Sequence, residues 1–203
     1  MILGLTGKCC AGKDEAARIL AERGWRIIDV DALGHRALSL RKRDVAERFG
    51  REVVGPVGEI DRSRLGRIVF SDPAELEALE EIVHPEMKRM VREEVEKERK
   101  RGGHTVVNAA LLFTMGLHSL CDAVIRVSAP AVLRLLRAKR RDGMSMRDIL
   151  RRFAGQRELF PKYLMQDVDM YTVRNCGTRT RLERNLARTL NRIDREPAER
   201  GEA

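Results

Sequence analysis

The stretch GLTGKCCAGKDEAARIL, residues 4–20, decides how this chain is read. A short apolar run, ILGLT at 2–6, ends at Gly7. Gly12 and Lys13 follow at the spacing G-x-x-x-x-G-K, and a helix-periodic segment comes next, with Ala16, Ala17, Ile19 and Leu20 before the stop at Gly24. Strand, glycine loop, lysine and helix together form a phosphate-binding loop. Successive backbone N–H groups wrap the phosphates, the helix N-terminus adds its positive end, and the lysine reaches the β- and γ-phosphates. The expected lining is Gly7, Lys8, Cys9, Cys10, Ala11, Gly12 and Lys13, with Asp14 and Glu15 opening the helix. A glycine turn that merely joins strand to helix would require neither the lysine nor a position at the first strand. One residue departs from the pattern. Asp14 stands where a Ser or Thr hydroxyl would serve magnesium.

Outward from this loop, strands and helices alternate. Further strands are expected at 25–31 (WRIIDVD), within 104–113 (HTVVNAALLF), at 122–128 (DAVIRVS) and weakly near 171–174. Helices are expected at 13–23, 32–40 and 44–49. Asp72 and Pro73 open a long helix as N-cap and first residue; it is interrupted at His84-Pro85 and then resumes to Arg101. A basic helix begins at Pro130, DGMS (142–145) is a turn before a second basic helix, and a last helix ends near Ile193 ahead of a polar tail. This alternation predicts an α/β fold with a five-stranded, mainly parallel sheet between helices. Ligands in such sheets bind at the carboxyl ends of the strands, so the loop, Asp29, Asp31 and Asn108 should converge at one edge.

Composition narrows the function classes. With 203 residues, 43% hydrophobic and 35% charged, the chain suits one soluble globular domain. No apolar run reaches the roughly 18–20 residues that span a bilayer, and MILGLTG lacks the flank of a signal peptide. A cytoplasmic protein is expected. Cys9, Cys10, Cys121 and Cys176 show no C-x-x-C spacing, so neither a disulfide framework nor a zinc site is expected. The formal charge of +9 is spread over several helical segments, and aromatic content is only 4%. A basic surface that attracts nucleotides fits better than a nucleic-acid stripe or stacking platform.

Two further groups carry candidate chemistry. Asp31 could accept a proton from a hydroxyl attacking the γ-phosphate, or simply cap the next helix. Asp29 could assist at the same strand end or serve a turn; the residues alone leave both open. Arg134, Arg137, Lys139, Arg140 and Arg141 could belong to a lid closing on the transferring phosphoryl group, or to a solvated helix face.

Read together, these pieces resemble the dephospho-coenzyme A kinase family over nearly the whole chain. The resemblance rests on GLTG, the D-x-D of IIDVDAL and RFG at 48–50. It continues through GEIDRSRLGRIVFSDPAELEALEEIVHP at 58–85, LLF at 111–113, CDAVIRVSAP at 121–130, RDGMS with Arg137 and Arg141, Gln156, and the N-x-G at Asn175. It implies transfer of a phosphoryl group from ATP to the ribose 3′-hydroxyl of dephospho-coenzyme A, with magnesium. It also implies a phosphate-loop kinase core at about 1–50, 102–130 and 168–195, a helical coenzyme A-binding part at about 51–101, and a lid at about 131–167. By the same resemblance Asp31 is the base, Lys13, Arg137 and Arg141 serve transfer, and Asn175 joins the loop at ATP. Asp29, His84, Leu111, Leu112 and Phe113 border the acceptor, although the three apolar residues read equally as core.

The departures cluster at the metal. The family's loop is G-G-x-G-S-G-K-S-T, and its third strand is followed by D-x-P-L-L-F-E. Here Lys8, Cys9, Cys10, Ala11, Asp14 and Glu15 differ, and the later segment reads Asn108-Ala109-Ala110-Leu111-Leu112-Phe113-Thr114. The summed charge of positions 14 and 108 is what a hydroxyl and an aspartate would give, with the positions exchanged. Magnesium accepts oxygen from carboxylate or amide, so Asp14 and Asn108 are its expected ligands; the alternative for Asp14 is a first-turn residue favoured by the helix dipole. Two other readings stand: another nucleoside or nucleotide kinase on this core, which residues 58–85 oppose, and a nucleotide- or RNA-binding protein that has lost catalysis.

Overall fold

The computed structural model describes residues 1–142 and 168–200. The strands are β1 (Ile2–Gly7), β2 (Arg26–Asp29), β3 (Thr105–Asn108), β4 (Ala123–Ser128) and β5 (Met170–Arg174), in the spatial order β2-β3-β1-β4-β5. The β1–β3, β1–β4 and β4–β5 pairings are parallel. β1 is therefore central, which explains its unbroken apolar run: both faces are covered. The helices are α1 (Lys13–Glu22), α2 (Val30–Leu40), α3 (Lys42–Phe49), α4 (Arg62–Val69), α5 (Pro73–Arg101), α6 (Ala131–Asp142) and α7 (Arg179–Arg200). Among the described residues no helix is long and apolar enough to cross a membrane.

One sheet face packs Leu3, Leu5 and Ile125 against Ile19 and Leu20 of α1 and Leu182 and Leu186 of α7. Strand alternation turns Gly4 to the other face, where Leu112, Val124 and Cys121 crowd it. The chain divides into two compact units, Met1–Ile28 with Lys97–Ala203, and Asp29–Glu96. The second unit has its own core of Val45, Phe49, Val53, Leu65 and Val69, with Leu79 and Ile82 packed against it.

Several local expectations are corrected. α5 runs through Pro85 as one 29-residue helix. The proline removes one helix hydrogen bond and crowds the preceding turn, at a cost of about 3 kcal/mol. Buried Met87, Met90, Val91 and Val95 beyond it outweigh that cost, at about 1.5–3 kcal/mol for each fully buried side chain. α4 was not anticipated. Its signal is Asp61, whose carboxylate accepts from the Ser63 and Arg64 N–H groups as N-cap, ahead of Leu65 and Val69 on one face. α7 continues past Ile193 to Arg200, running through Pro197. The DGMS turn, the second basic helix, Gln156 and most of the expected lid lie outside the described residues, as does the Arg141 side chain.

A methyl group on Gly4 would sit 2.8 Å from Leu112 Cδ2, 3.0 Å from Val124 Cγ2 and 3.1 Å from Cys121 Sγ. Gly4→Ala should therefore cost about 1–3 kcal/mol by overpacking, read as a lower urea midpoint at unchanged m-value. An unchanged midpoint would show that this face repacks freely.

Candidate active site

The loop between β1 and α1 folds as its glycines require. Gly12 has φ +97°, and Cys10 is also left-handed at φ 59°. The Ala11 N–H bonds the Lys8 carbonyl at 2.9 Å, closing a turn, and the Ala16 N–H bonds the Gly12 carbonyl at 3.1 Å, starting α1. A Cβ on Gly12 would fall 2.1 Å from Asn175 Nδ2, so sterics as well as φ exclude a side chain there.

The loop's carbonyls are taken up by donors from two other elements. Arg134 Nε donates to the Cys9 carbonyl at 2.8 Å. Arg137 Nη1 reaches the Ala11 carbonyl at 3.3 Å and that of Cys10 at 3.5 Å. Asn175 Nδ2 donates to the Ala11 carbonyl at 2.9 Å, and Arg137 Nη2 donates to the Asn175 carbonyl at 3.2 Å. Arg134 and Arg137 lie on α6 at i, i+3, hence on one face, while Asn175 follows β5. Burial pulls the Arg134 guanidinium below its ordinary pKa, and the neighbouring Cys9 and Cys10 oppose that shift.

The loop also lines a cleft of about 550 Å³. It is lined by loop residues including Gly7, Lys8, Cys9, Cys10 and Gly12, by Lys13, Asp14, Glu15 and Arg18 of α1, and by Ala110, Arg137 and Arg140. Lys13 is 8% exposed. A buried ammonium needs polar partners; its Nζ donates to Asn108 Oδ1 at 2.8 Å and lies 3.0 Å from Asp14 Oδ1. Asp14 is exposed while Asn108, at the end of β3, is buried. Glu15 pairs with Arg18 at 3.0 Å and with Arg179 at 2.7 Å, so it braces α1 against α7 at the cleft's rim.

Other expected residues separate by role. Asp29, not Asp31, is the N-cap of α2: its Oδ1 accepts from the Asp31 and Ala32 N–H groups at 3.0 and 3.2 Å. Asp31 is thereby exposed in the first turn, where the helix dipole favours a carboxylate. Leu112 is fully buried against the sheet and belongs to the core, because the chain after β3 turns it onto Gly4. Phe113 is buried and stacks on His118 at 4.9 Å, and Leu111 is half-buried. His84 is half-buried on α5, and desolvation lowers its pKa against the opposing pull of Glu80. Among the described residues no three His, Cys, Asp or Glu side chains form a metal cage.

Two roles escaped the sequence. Arg134 read as one of several basic helix residues, and Asn175 as a nucleotide contact rather than a clamp on the loop. The i, i+3 spacing of Arg134 and Arg137 was the available signal. Asn175→Ala should leave the Ala11 carbonyl with one donor fewer. At about 1–3 kcal/mol for a lost buried partner, triphosphate affinity should fall by a factor of several to a hundredfold with an unchanged far-UV spectrum. Unaltered affinity would contradict the clamp.

The comparisons agree with this geometry. A family model described as dephospho-CoA kinase matches residues 1–175. A Treponema pallidum protein named dephospho-CoA kinase is 33% identical over 199 residues, covering 94% of each chain. A Thermus thermophilus relative of the same name is 34% identical over 190 residues, covering 94% of this chain and 90% of its own. A crystal structure from Thermus thermophilus superposes with TM-score 0.77 at 33% identity, covering 95% of this chain and 97% of that one. With a matching family model, relatives of matching length and the phosphate loop itself in place, this chain belongs to the dephospho-CoA kinase family.

Proposed function

We propose that the chain transfers the γ-phosphoryl group of ATP to the ribose 3′-hydroxyl of dephospho-coenzyme A, giving coenzyme A and ADP, as the last step of coenzyme A synthesis in the cytoplasm. The carrying observation is the cleft whose loop carbonyls are drawn outward by Arg134, Arg137 and Asn175, with buried Lys13 at its wall. Fixing those carbonyls orients the loop's peptides toward the triphosphate. Lys13 has its charge at the β- and γ-phosphates. Arg137 and Arg140 add positive charge, and Arg141 continues the same helix into the lid at about 131–167. Asp31 takes the proton of the attacking hydroxyl, held in place by the α2 start that Asp29 caps. Residues 51–101, with His84, bind the acceptor, and Leu111 and Phe113 border it; Leu112 only supports them.

Magnesium fits the donor set in kind. It takes oxygen ligands, needs only one or two from protein, and completes its shell with phosphate and water. Asp14 and Asn108 supply such oxygens, and both lie within 3.0 Å of Lys13 Nζ. When bound, the ion neutralises charge building between the phosphates. Asp14 and Asn108 would hold it from the positions a hydroxyl and an aspartate occupy in the family's pattern, with the Lys13 ammonium turned to the triphosphate.

Three tests follow from these roles. A coupled assay for ADP should show release that depends on dephospho-coenzyme A and not on nucleoside monophosphates; acceptor-independent release would sink the substrate assignment. Asp31→Asn should lower kcat by about 10²–10⁴-fold while ATP affinity holds; a loss below tenfold would remove Asp31 as base. A double-mutant cycle with Asp14→Ser and Asn108→Asp reads the magnesium concentration for half-maximal turnover. Each single change should raise it, and the double change should restore it. Coupling confined to metal-free ATP affinity would mean that the pair serves Lys13 rather than the ion.

A further inference from the structure

Cys10 stands where the family's loop has a glycine and Cys9 fills its variable position, and the transfer chemistry uses neither thiol. Their Sγ atoms lie 3.6 Å apart, both residues are partly exposed, and both line the cleft. Arg134 holds the Cys9 carbonyl at 2.8 Å, which fixes this part of the loop beside the cleft. Cys121 is the contrast: burial pushes its thiol up to about 12, which keeps it inert.

We propose that the Cys9–Cys10 pair is a thiol–disulfide exchange site inside the ATP cradle, taking low-molecular-weight disulfides. This rests on the cleft being the ATP site. One thiolate attacks a sulfur of the small disulfide. That S–S bond breaks, one small thiol leaves and takes a proton, and a mixed disulfide remains on the loop. The neighbouring thiolate then attacks the protein sulfur, the second small thiol leaves, and Cys9 is joined to Cys10. Two protein thiols are oxidised and one disulfide is reduced to two thiols.

Both products exclude ATP. A substituent on either sulfur fills the cleft beside Gly12 and Lys13. A bond between the neighbours re-angles the Cys9–Cys10 peptide, whose carbonyl Arg134 holds, and shifts the Cys10 carbonyl that Arg137 reaches. The modification is also readily reversed. Adjacent Cα atoms are about 3.8 Å apart, short of the roughly 4.4–6.8 Å of ordinary disulfides, so the vicinal bond is strained and easily reduced. The second thiol gives the mixed disulfide a built-in route of release. ATP and small disulfides therefore compete for one loop.

The test uses the full chain and glutathione disulfide as probe. ATP affinity of the reduced protein is measured first; no binding there would contradict the cradle reading itself. After treatment, the tryptic peptide Cys9–Lys13 should carry glutathione or lose two hydrogens. ATP affinity should fall by about tenfold or more, and dithiothreitol should restore it. Saturating ATP should slow the modification several-fold. Modification at equal rates with and without ATP, in a protein that binds ATP, would overturn the proposal. So would modification of that peptide with ATP affinity unchanged. Each variant is scored against its own untreated sample. The Cys9→Ser/Cys10→Ser double variant should lose sensitivity to the disulfide, and Cys176→Ser should keep it. Sensitivity that disappears with Cys176→Ser would place the reactive thiol outside the loop and overturn the assignment.

Discussion

The structure turns on one arrangement: the carbonyl oxygens of Cys9 and Ala11 are held by Arg134 and Asn175, with Arg137 alongside. A peptide whose oxygen is fixed on one side presents its N–H to the other. Three donors from α6 and from the end of β5 thus set the polarity of a loop that belongs to neither element. The consequence reaches far along the chain, since the residues that shape the loop lie about 125 to 164 positions from it in sequence. Parallel pairing of β1, β4 and β5 is what brings them there.

The second constraint is the buried charge on Lys13. Its Nζ rests on a neutral amide and an exposed carboxylate, Asn108 and Asp14. A hydroxyl at 14 and a carboxylate at 108 would give the ammonium the same total complement from the opposite sides. This is why the departures from the family's pattern at two distant positions read as one electrostatic adjustment. Both sites touch the same nitrogen, so a change at either alters the field felt by the other.

Much of the fold was legible because its signals are local. The central strand announced itself as ILGLT, the loop by Gly7, Gly12 and Lys13, and α5 by Asp72 and Pro73. The failures have a common cause in tertiary packing. Pro85 carries a strong local signal against a helix, but Met90, Val91 and Val95 bury a face that only a continuous helix presents. Asp29 and Asp31 are chemically identical in sequence, and only backbone geometry distinguishes the cap from the exposed carboxylate. Leu111, Leu112 and Phe113 are three apolar neighbours whose facing depends on the turn after β3: Leu112 falls on Gly4, Phe113 is buried against His118, and Leu111 stays half-buried. The clamp by Arg134 and Asn175 needed coordinates, because side chain-to-carbonyl bonds across the sheet leave no periodic trace.

A loop carrying Asp14, paired with Asn108, should still support phosphoryl transfer to a ribose hydroxyl. The most direct measurement is the phosphorus spectrum of a reaction holding the protein, ATP, magnesium and dephospho-coenzyme A. A new phosphomonoester resonance should appear at the ribose 3′ position, growing in equal amount with ADP. Consumption of ATP with inorganic phosphate as the only new species, or intact ATP beside a protein that binds it, would contradict that claim.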